Sequence, residues 1–225
     1  MKVKFNLYEK LFLVIGISFV TLVAVNSQAS LLATIFSILC ILNAVYAAKG
    51  LILGYVFEIF STFIYIYLSL NQRFYSEVIT SLFILLPFSF YGLYNWSKHQ
   101  NSQSNVINIS RTSKKELAIL ITSQIVLYPL YLGMLISFDC SLPYVSAVSI
   151  AVSVSAFYLL AKTSNLSYLF FILKDIIGLI LWVYPLMLGN SGNITVLLTN
   201  ILYGINDVYG LINWNKMLKQ QKTTV

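Results

Sequence analysis

Apolar residues along this chain run in long, nearly unbroken stretches. Approximately 9–27, 30–48, 51–70, 74–96, 116–137, 142–162, 166–189 and 193–214 are predominantly apolar. A run of about 20 such residues, at ~1.5 Å rise each, crosses the hydrocarbon layer of a bilayer as a helix. Several of these runs are separated by only a few residues. One long connection, 97–115 (SKHQNSQSNVINISRTSKK), is polar, lacks periodicity and reads as a linker. The pattern predicts an all-α integral membrane protein with eight transmembrane helices. The first thirty residues, MKVKFNLYEKLFLVIGISFVTLVAVNSQAS, also fit a signal peptide: basic, then apolar, then small. An uncleaved first span is preferred, because its removal leaves seven crossings and no cytoplasmic N-terminus.

Composition strengthens this picture. Of 225 residues, 59% are hydrophobic and 9% charged, against about 25% charged in soluble domains. The net charge of +7 does not form a basic patch with a fold of its own, which argues against a nucleic-acid partner. The basic residues sit in short loops instead. Twelve lysines and arginines, from Lys2 to Lys222, fall on one side of the expected topology, Arg73 falls on the other, and Lys174 lies inside a span. This bias places both termini in the cytoplasm and checks the count of eight, since an odd number would scramble it. Cys40 and Cys140 differ in expected depth by roughly 13 Å and are read as unpaired.

The chain writes one helix ending twice. YGLYNWSK at 91–98 returns as YGLINWNK at 209–216, an offset of 118 residues with six of eight letters shared. The copies end spans four and eight. An even separation preserves orientation, so the repeat is expected to be parallel, about an axis along the membrane normal. The expected architecture is two parallel three-helix bundles joined by a linker helix (3+1+3), behind an extra N-terminal helix. The divisions are 1–29 (extra helix), 30–96 (first bundle), 97–141 (polar cytoplasmic loop and linker helix), 142–214 (second bundle) and 215–225 (cytoplasmic tail). Such bundles usually enclose a pathway with substrate near the midplane.

Candidate chemistry lies in three acids within spans: Glu58, Asp175 and Asp207. Carboxylates at such depth are costly, at ~2.5–3.5 kcal/mol each on insertion scales. Counted along their helices, all three fall roughly 10–14 Å above the cytoplasmic boundary. Gly54, Glu58, Ser61 and Tyr65 share a 4-3-4 spacing with Phe171, Asp175, Gly178 and Trp182, the spacing of a single helix face. The two stripes map onto each other with an offset of 117, which makes Glu58 and Asp175 near-equivalents. Counting back from the repeated tryptophans gives Leu82, Leu85, Ser89 and Gly92 in one copy. The other gives Asn200, Tyr203, Asp207 and Gly210, widened by Thr199, Asn206 and Asn213. The wall is greasy in one half and polar in the other. It suits a ligand with a flat apolar end and a hydroxyl-rich end, stacked by aromatics and held by amide or carboxylate groups. The expected substrate-binding residues are Asp175, Glu58, Trp182, Tyr65, Phe171, Asn200, Tyr203, Asn206, Asp207 and Ser89.

Each feature also has a purely structural reading. Trp96 and Trp214 fit interface anchors, and Gly92 and Gly210 fit close-packing points. An acid paired with Lys174 fits a plain ion pair. Pro87, Pro129 and Pro185 are expected to kink their spans, with Pro87 and Pro185 as candidate gating hinges. No catalytic set, cofactor motif or metal-ligand spacing is found, and the single histidine, His99, lies in the polar linker. The chain is therefore not read as an enzyme.

FYSEVITSLFILLPFSFYGLYNWSKH (74–99) and YGINDVYGLINW (203–214) resemble the PnuC family of bacterial vitamin transporters, in which an aromatic-rich span ends in YGWY-x-W. Length, span count and the 3+1+3 repeat agree with that family. SWEET-type sugar transporters are similar in architecture. The resemblance implies facilitated diffusion of an uncharged or weakly charged vitamin precursor, nicotinamide riboside being the best known, through a bacterial plasma membrane. It also implies trapping by cytoplasmic phosphorylation, hence a functional link to a kinase, and a pocket between the bundles. Where the family often has W-x-x-W-x-x-x-N, this chain has Tyr168, Phe171 and Asp175. Leu82 stands for an expected glutamine and Ser89 for an expected asparagine. Thiamine, riboflavin or a deoxynucleoside is thus an alternative ligand, and Asp175 favours one with a donor-rich or cationic group. A substrate-capturing subunit of an ATP-driven complex is the rival from another class. Proton coupling through Lys174 and Asp175 stays open, and the lipid bilayer and a homo-oligomer complete the partners considered.

Overall fold

The computed structural model describes residues 4–26, 30–71, 78, 80–100, 105–140, 142–187 and 194–223. Its described residues are helical apart from short connections. The helices are α1 (Leu7–Asn26), α2 (Leu31–Ala48), α3 (Leu53–Asn71), α4 (Leu86–His99), α5 (Lys114–Ser137), α6 (Pro143–Ala161), α7 (Ser167–Met187) and α8 (Ile194–Thr223). Their bounds follow the apolar runs closely. α1, α2, α5 and α6 are long and apolar enough to cross a membrane. Their outward surfaces carry bare apolar side chains, among them Leu7, Leu31, Ile125 and Val126, which suits hydrocarbon as the surrounding solvent.

Local chemistry sets the helix starts. Ser30 caps α2 by accepting the Ala33 N–H at 3.2 Å, and Ser113 caps α5 by accepting that of Glu116 at 3.1 Å. Asn6 and Glu9 cap α1 reciprocally: the Glu9 N–H donates to Asn6 Oδ1 at 2.8 Å and the Asn6 N–H to Glu9 Oε2 at 2.6 Å. The same Glu9 is fully buried, and its two oxygens accept Lys49 Nζ at 2.7 and 2.6 Å. This ion pair fastens α1 to the end of α2. Before α4, Ser81–Leu85 forms a π-helical turn in which the Leu86 N–H reaches back to Ser81 O. Pro87 follows directly and has no N–H for the ordinary helical bond to Phe83. Pro129 lies inside α5, and the Pro185 side chain lies outside the described residues.

Contacts divide the chain into two compact units, Met1–Asn108 and Ile109–Val225. In the first, α1 packs on α2, α2 on α3, and α3 on α4; in the second, α5 packs on α6, α6 on α7, and α7 on α8. Each unit contains the same turn. α2 ends with Gly50 at φ 75°, its N–H donating to Ala47 O and that of Leu51 to Tyr46 O. α6 ends with Thr163 at φ 56°, its N–H donating to Leu160 O and that of Ser164 to Leu159 O. Both are Schellman endings, which need a left-handed residue after the cap. The linker finishes both turns. Within the first unit the Ile107 N–H donates to Gly50 O at 3.0 Å, and within the second the Ser110 N–H donates to Thr163 O at 2.9 Å. Ile107 and Ile109 are buried. This part of the linker is thus an ordered, partly apolar strap, where a structureless connection was expected.

The repeated helix ending has a packing reason in both units. Tyr55 of α3 lies edge-on to Trp96 of α4, with ring centroids 4.7 Å apart. Tyr168 of α7 meets Trp214 of α8 in the same way at 5.1 Å. Each tyrosine ring occupies the place of the side chain its partner helix lacks. A Cβ on Gly92 would stand 2.1 Å from Tyr55 Cζ, and one on Gly210 would stand 2.4 Å from Tyr168 Cε1. Both tryptophans are 0% exposed, which overturns their reading as interface anchors, whereas the close-packing reading of the glycines holds. Alanine at Gly92 should destabilise the protein by about 1–3 kcal/mol through overpacking. Thermal unfolding in detergent should show that loss shrinking when Tyr55→Ala is also present; equal losses in both backgrounds would refute the lock.

Candidate substrate-binding site

The lock fixes the register between helices that carry the candidate residues. Tyr55 and Tyr168 stand in corresponding places, an offset of 113, while Gly92 and Gly210 are 118 apart. The second unit therefore holds five more residues between the two lock positions. This corrects the offset of 117 between the stripes: Asp175 corresponds to Thr62, and Glu58 corresponds to Phe171. AKGLILGY at 48–55 and AKTSNLSY at 161–168, with four of eight letters shared, carry the signal that identifies the correct register.

One helix turn past the lock, α7 and α8 bring six of the expected residues together. Asp175 on α7 is 4% exposed, and Asp207 on α8 is 8% exposed. Their carboxyls stand against each other, with the buried Asn206 amide beside Asp207. Asn200 Nδ2 donates to Asp175 O at 3.3 Å. That approach depends on Gly178, where a Cβ would stand 2.5 Å from the same amide nitrogen. Lys174 Nζ lies 2.9 Å from Asp175 Oδ1, 5.5 Å from the centre of the Phe171 ring and 5.8 Å from that of Tyr203. Lys174 is thus the ion-pair partner of Asp175, its own neighbour in sequence. Phe171 is itself set edge-on by Phe157 of α6 at 5.2 Å. The cluster holds two flat rings, two carboxyls, two amides and one ammonium within a few helix turns. Those groups stack on a ring and take hydroxyl donors.

The Trp182 and Thr199 side chains fall outside the described residues. Glu58, Tyr65 and Ser89 belong to the first unit. Glu58 is half-buried and stands near Tyr55. Its backbone carbonyl accepts the Ser61 hydroxyl at 2.9 Å and that of Thr62 at 2.7 Å. Tyr65 stacks on Phe36 of α2 at 5.4 Å. Ser89 is buried one turn before Gly92, and its hydroxyl and that of Tyr55 make no hydrogen bond among the described residues. Leu82 is exposed.

The model of a family described as "Nicotinamide mononucleotide transporter" matches residues 27–216. A protein of Neisseria mucosa named nicotinamide riboside transporter PnuC is 25% identical, over 95% of this chain and 82% of its own length. A Haemophilus influenzae protein of the same name is 26% identical, over 87% of this chain and 84% of its own. The crystal structure of a vitamin B3 transporter PnuC has the same fold, with a TM-score of 0.82 and 24% identity over 96% of this chain and 94% of that one.

Two glycines in the cluster should behave differently. Gly178→Ala drives its Cβ into the Asn200 amide and should cost about 1–3 kcal/mol. Gly204→Ala places its Cβ at an ordinary 3.7 Å from Asp175 Oδ2, so the better helix former should leave stability unchanged or raise it by up to about 1 kcal/mol. Thermal unfolding of the two variants side by side checks the order.

Proposed function

Because the chain belongs to the nicotinamide mononucleotide transporter family, we propose that it carries nicotinamide riboside across a bacterial plasma membrane by facilitated diffusion. The observation that carries this reading is the α7–α8 cluster. Phe171 and Tyr203 offer faces for the pyridine ring, and Asn200, Asn206, Asp175 and Asp207 offer acceptors for ribose hydroxyls and the carboxamide.

The family description and the names of the two relatives differ by one phosphate, and the chemistry of the cluster favours the riboside. A phosphate monoester carries up to two negative charges and would stand against two carboxyls, with Lys174 as the one cation beside them among the described residues. Like charges at such spacing repel strongly where water is excluded. The nucleoside has no such group. Phosphorylation by a cytoplasmic kinase then traps the product and gives the transport its direction. The topology that goes with this reading has eight crossings, arranged three plus one plus three behind the first helix, with both termini cytoplasmic. A homo-oligomer is compatible with it.

Uptake of labelled nicotinamide riboside into proteoliposomes should run down its gradient without ATP or an ion gradient and stop at equal concentrations. Accumulation above the outside concentration in vesicles lacking a kinase would overturn facilitated diffusion. Asp175→Ala, in protein that still elutes as a single species, should abolish uptake; wild-type rates in that variant would sink the site assignment.

A further inference from the structure

Among the described residues, the cluster between α7 and α8 has one more acidic group than basic groups. Asp175 and Asp207 contribute two carboxyls, and Lys174 contributes one ammonium. Among the described residues, the groups that face them from neighbouring elements add no further charge. On α8 the neighbours are Asn206, Asn200 and Tyr203, which carry none in their ordinary states. On α6 the contacting side chain is Phe157. Tyr158, the next residue on α6, is turned to Glu116 of α5, its hydroxyl donating to Oε1 at 3.2 Å. The Asp175 carboxylate oxygens are shut off from solvent and, among the described residues, find no hydrogen-bond donor of ordinary geometry. A buried carboxylate is normally matched by donors as well as by charge.

The rings beside the acids already serve a cation. Lys174 Nζ sits over both Phe171 and Tyr203, a placement that the negative faces of aromatic rings favour. Space beside the acids is kept open by glycine, since position 204 presents no side chain to Asp175. We infer that Asp175, Asp207 and Lys174 form a charge-selecting subsite that prefers a planar organic monocation over a neutral molecule of the same shape. This rests on the transport reading above and deepens it. The pyridinium of nicotinamide riboside is such a cation. It would share the aromatic faces with Lys174 and bring the local charge to balance.

The test uses the purified full-length protein and two probes: nicotinamide riboside and its 1,4-dihydro form, which differ by one hydride and hence by the ring charge. Isothermal titration calorimetry should give a wild-type preference for the cation of about tenfold or more. Asp207→Asn keeps the shape and removes one carboxyl, so the ratio should fall toward one. Lys174→Met enlarges the charge deficit, so the ratio should rise, a direction that a merely structural lysine would not produce. Variants are first checked for a single elution peak and for retained thermal unfolding, and either one alone tests the inference. Equal affinity of the wild type for both forms, or a ratio that neither variant moves, overturns charge selection and leaves riboside transport standing. If neither form binds the wild type, the riboside reading itself falls and takes the inference with it.

Discussion

Helices surrounded by hydrocarbon gain nothing from hiding apolar surface from one another, so their association depends on close packing and internal hydrogen bonds. In this protein that constraint is met by placing a large polar-tipped side chain where the facing helix has none. Tyr55 fills the place opposite Gly92, and Tyr168 fills the place opposite Gly210. Asn200 fills the place opposite Gly178. Each insertion sets a rotation and a height for one helix against its neighbour. Everything further along α7 and α8 follows from that setting, including which side chains of the two helices face each other.

The buried charges obey the same logic with different emphasis. Glu9 and Lys49 are satisfied from both sides, by an ion pair and by the capping hydrogen bonds of Asn6. That pair is closed: nothing is left over to bind. Lys174, Asp175 and Asp207 are satisfied by charge on one side only, with rings and amides around them. The two sets thus differ in their surroundings: a capped ion pair in one, aromatic rings and amides around the acids in the other. The strap at 107–110 adds a further device. Its backbone N–H groups finish the left-handed turns after α2 and after α6, each within its own unit. Carbonyls exposed by a helix ending need such partners where water is scarce.

Much was legible in the sequence because hydrocarbon demands a simple signal. Runs of about 20 apolar residues identify membrane-spanning helices irrespective of how they pack; each described helix overlaps one of those runs, and four of them are long and apolar enough to cross a membrane. The doubled Tyr-Gly-Leu…Asn-Trp ending identified two related helix ends. Acids at membrane depth stood out because such groups are rare there. Phe171, Asp175, Asn200, Tyr203, Asn206 and Asp207 were named on spacing and chemistry, and they do meet. The error in register has an equally simple origin. A helix face repeats every three or four residues, so stripes matched by spacing alone can slip by one turn. Glu58 was paired with Asp175 in that way, although the left-handed turns at Gly50 and Thr163 align Thr62 with it.

By itself, then, the sequence determined a membrane-embedded, all-helical chain with a repeated helix ending and an unusual set of carboxylates and amides, because composition and period are local properties. The tertiary structure alone decided that the repeated tryptophans are buried behind tyrosines and that the linker strap is ordered. It also decided that Lys174 pairs with its neighbour Asp175. Those outcomes depend on which surfaces of two helices meet. A contact between side chains forty residues apart leaves no periodic trace in the chain that makes it.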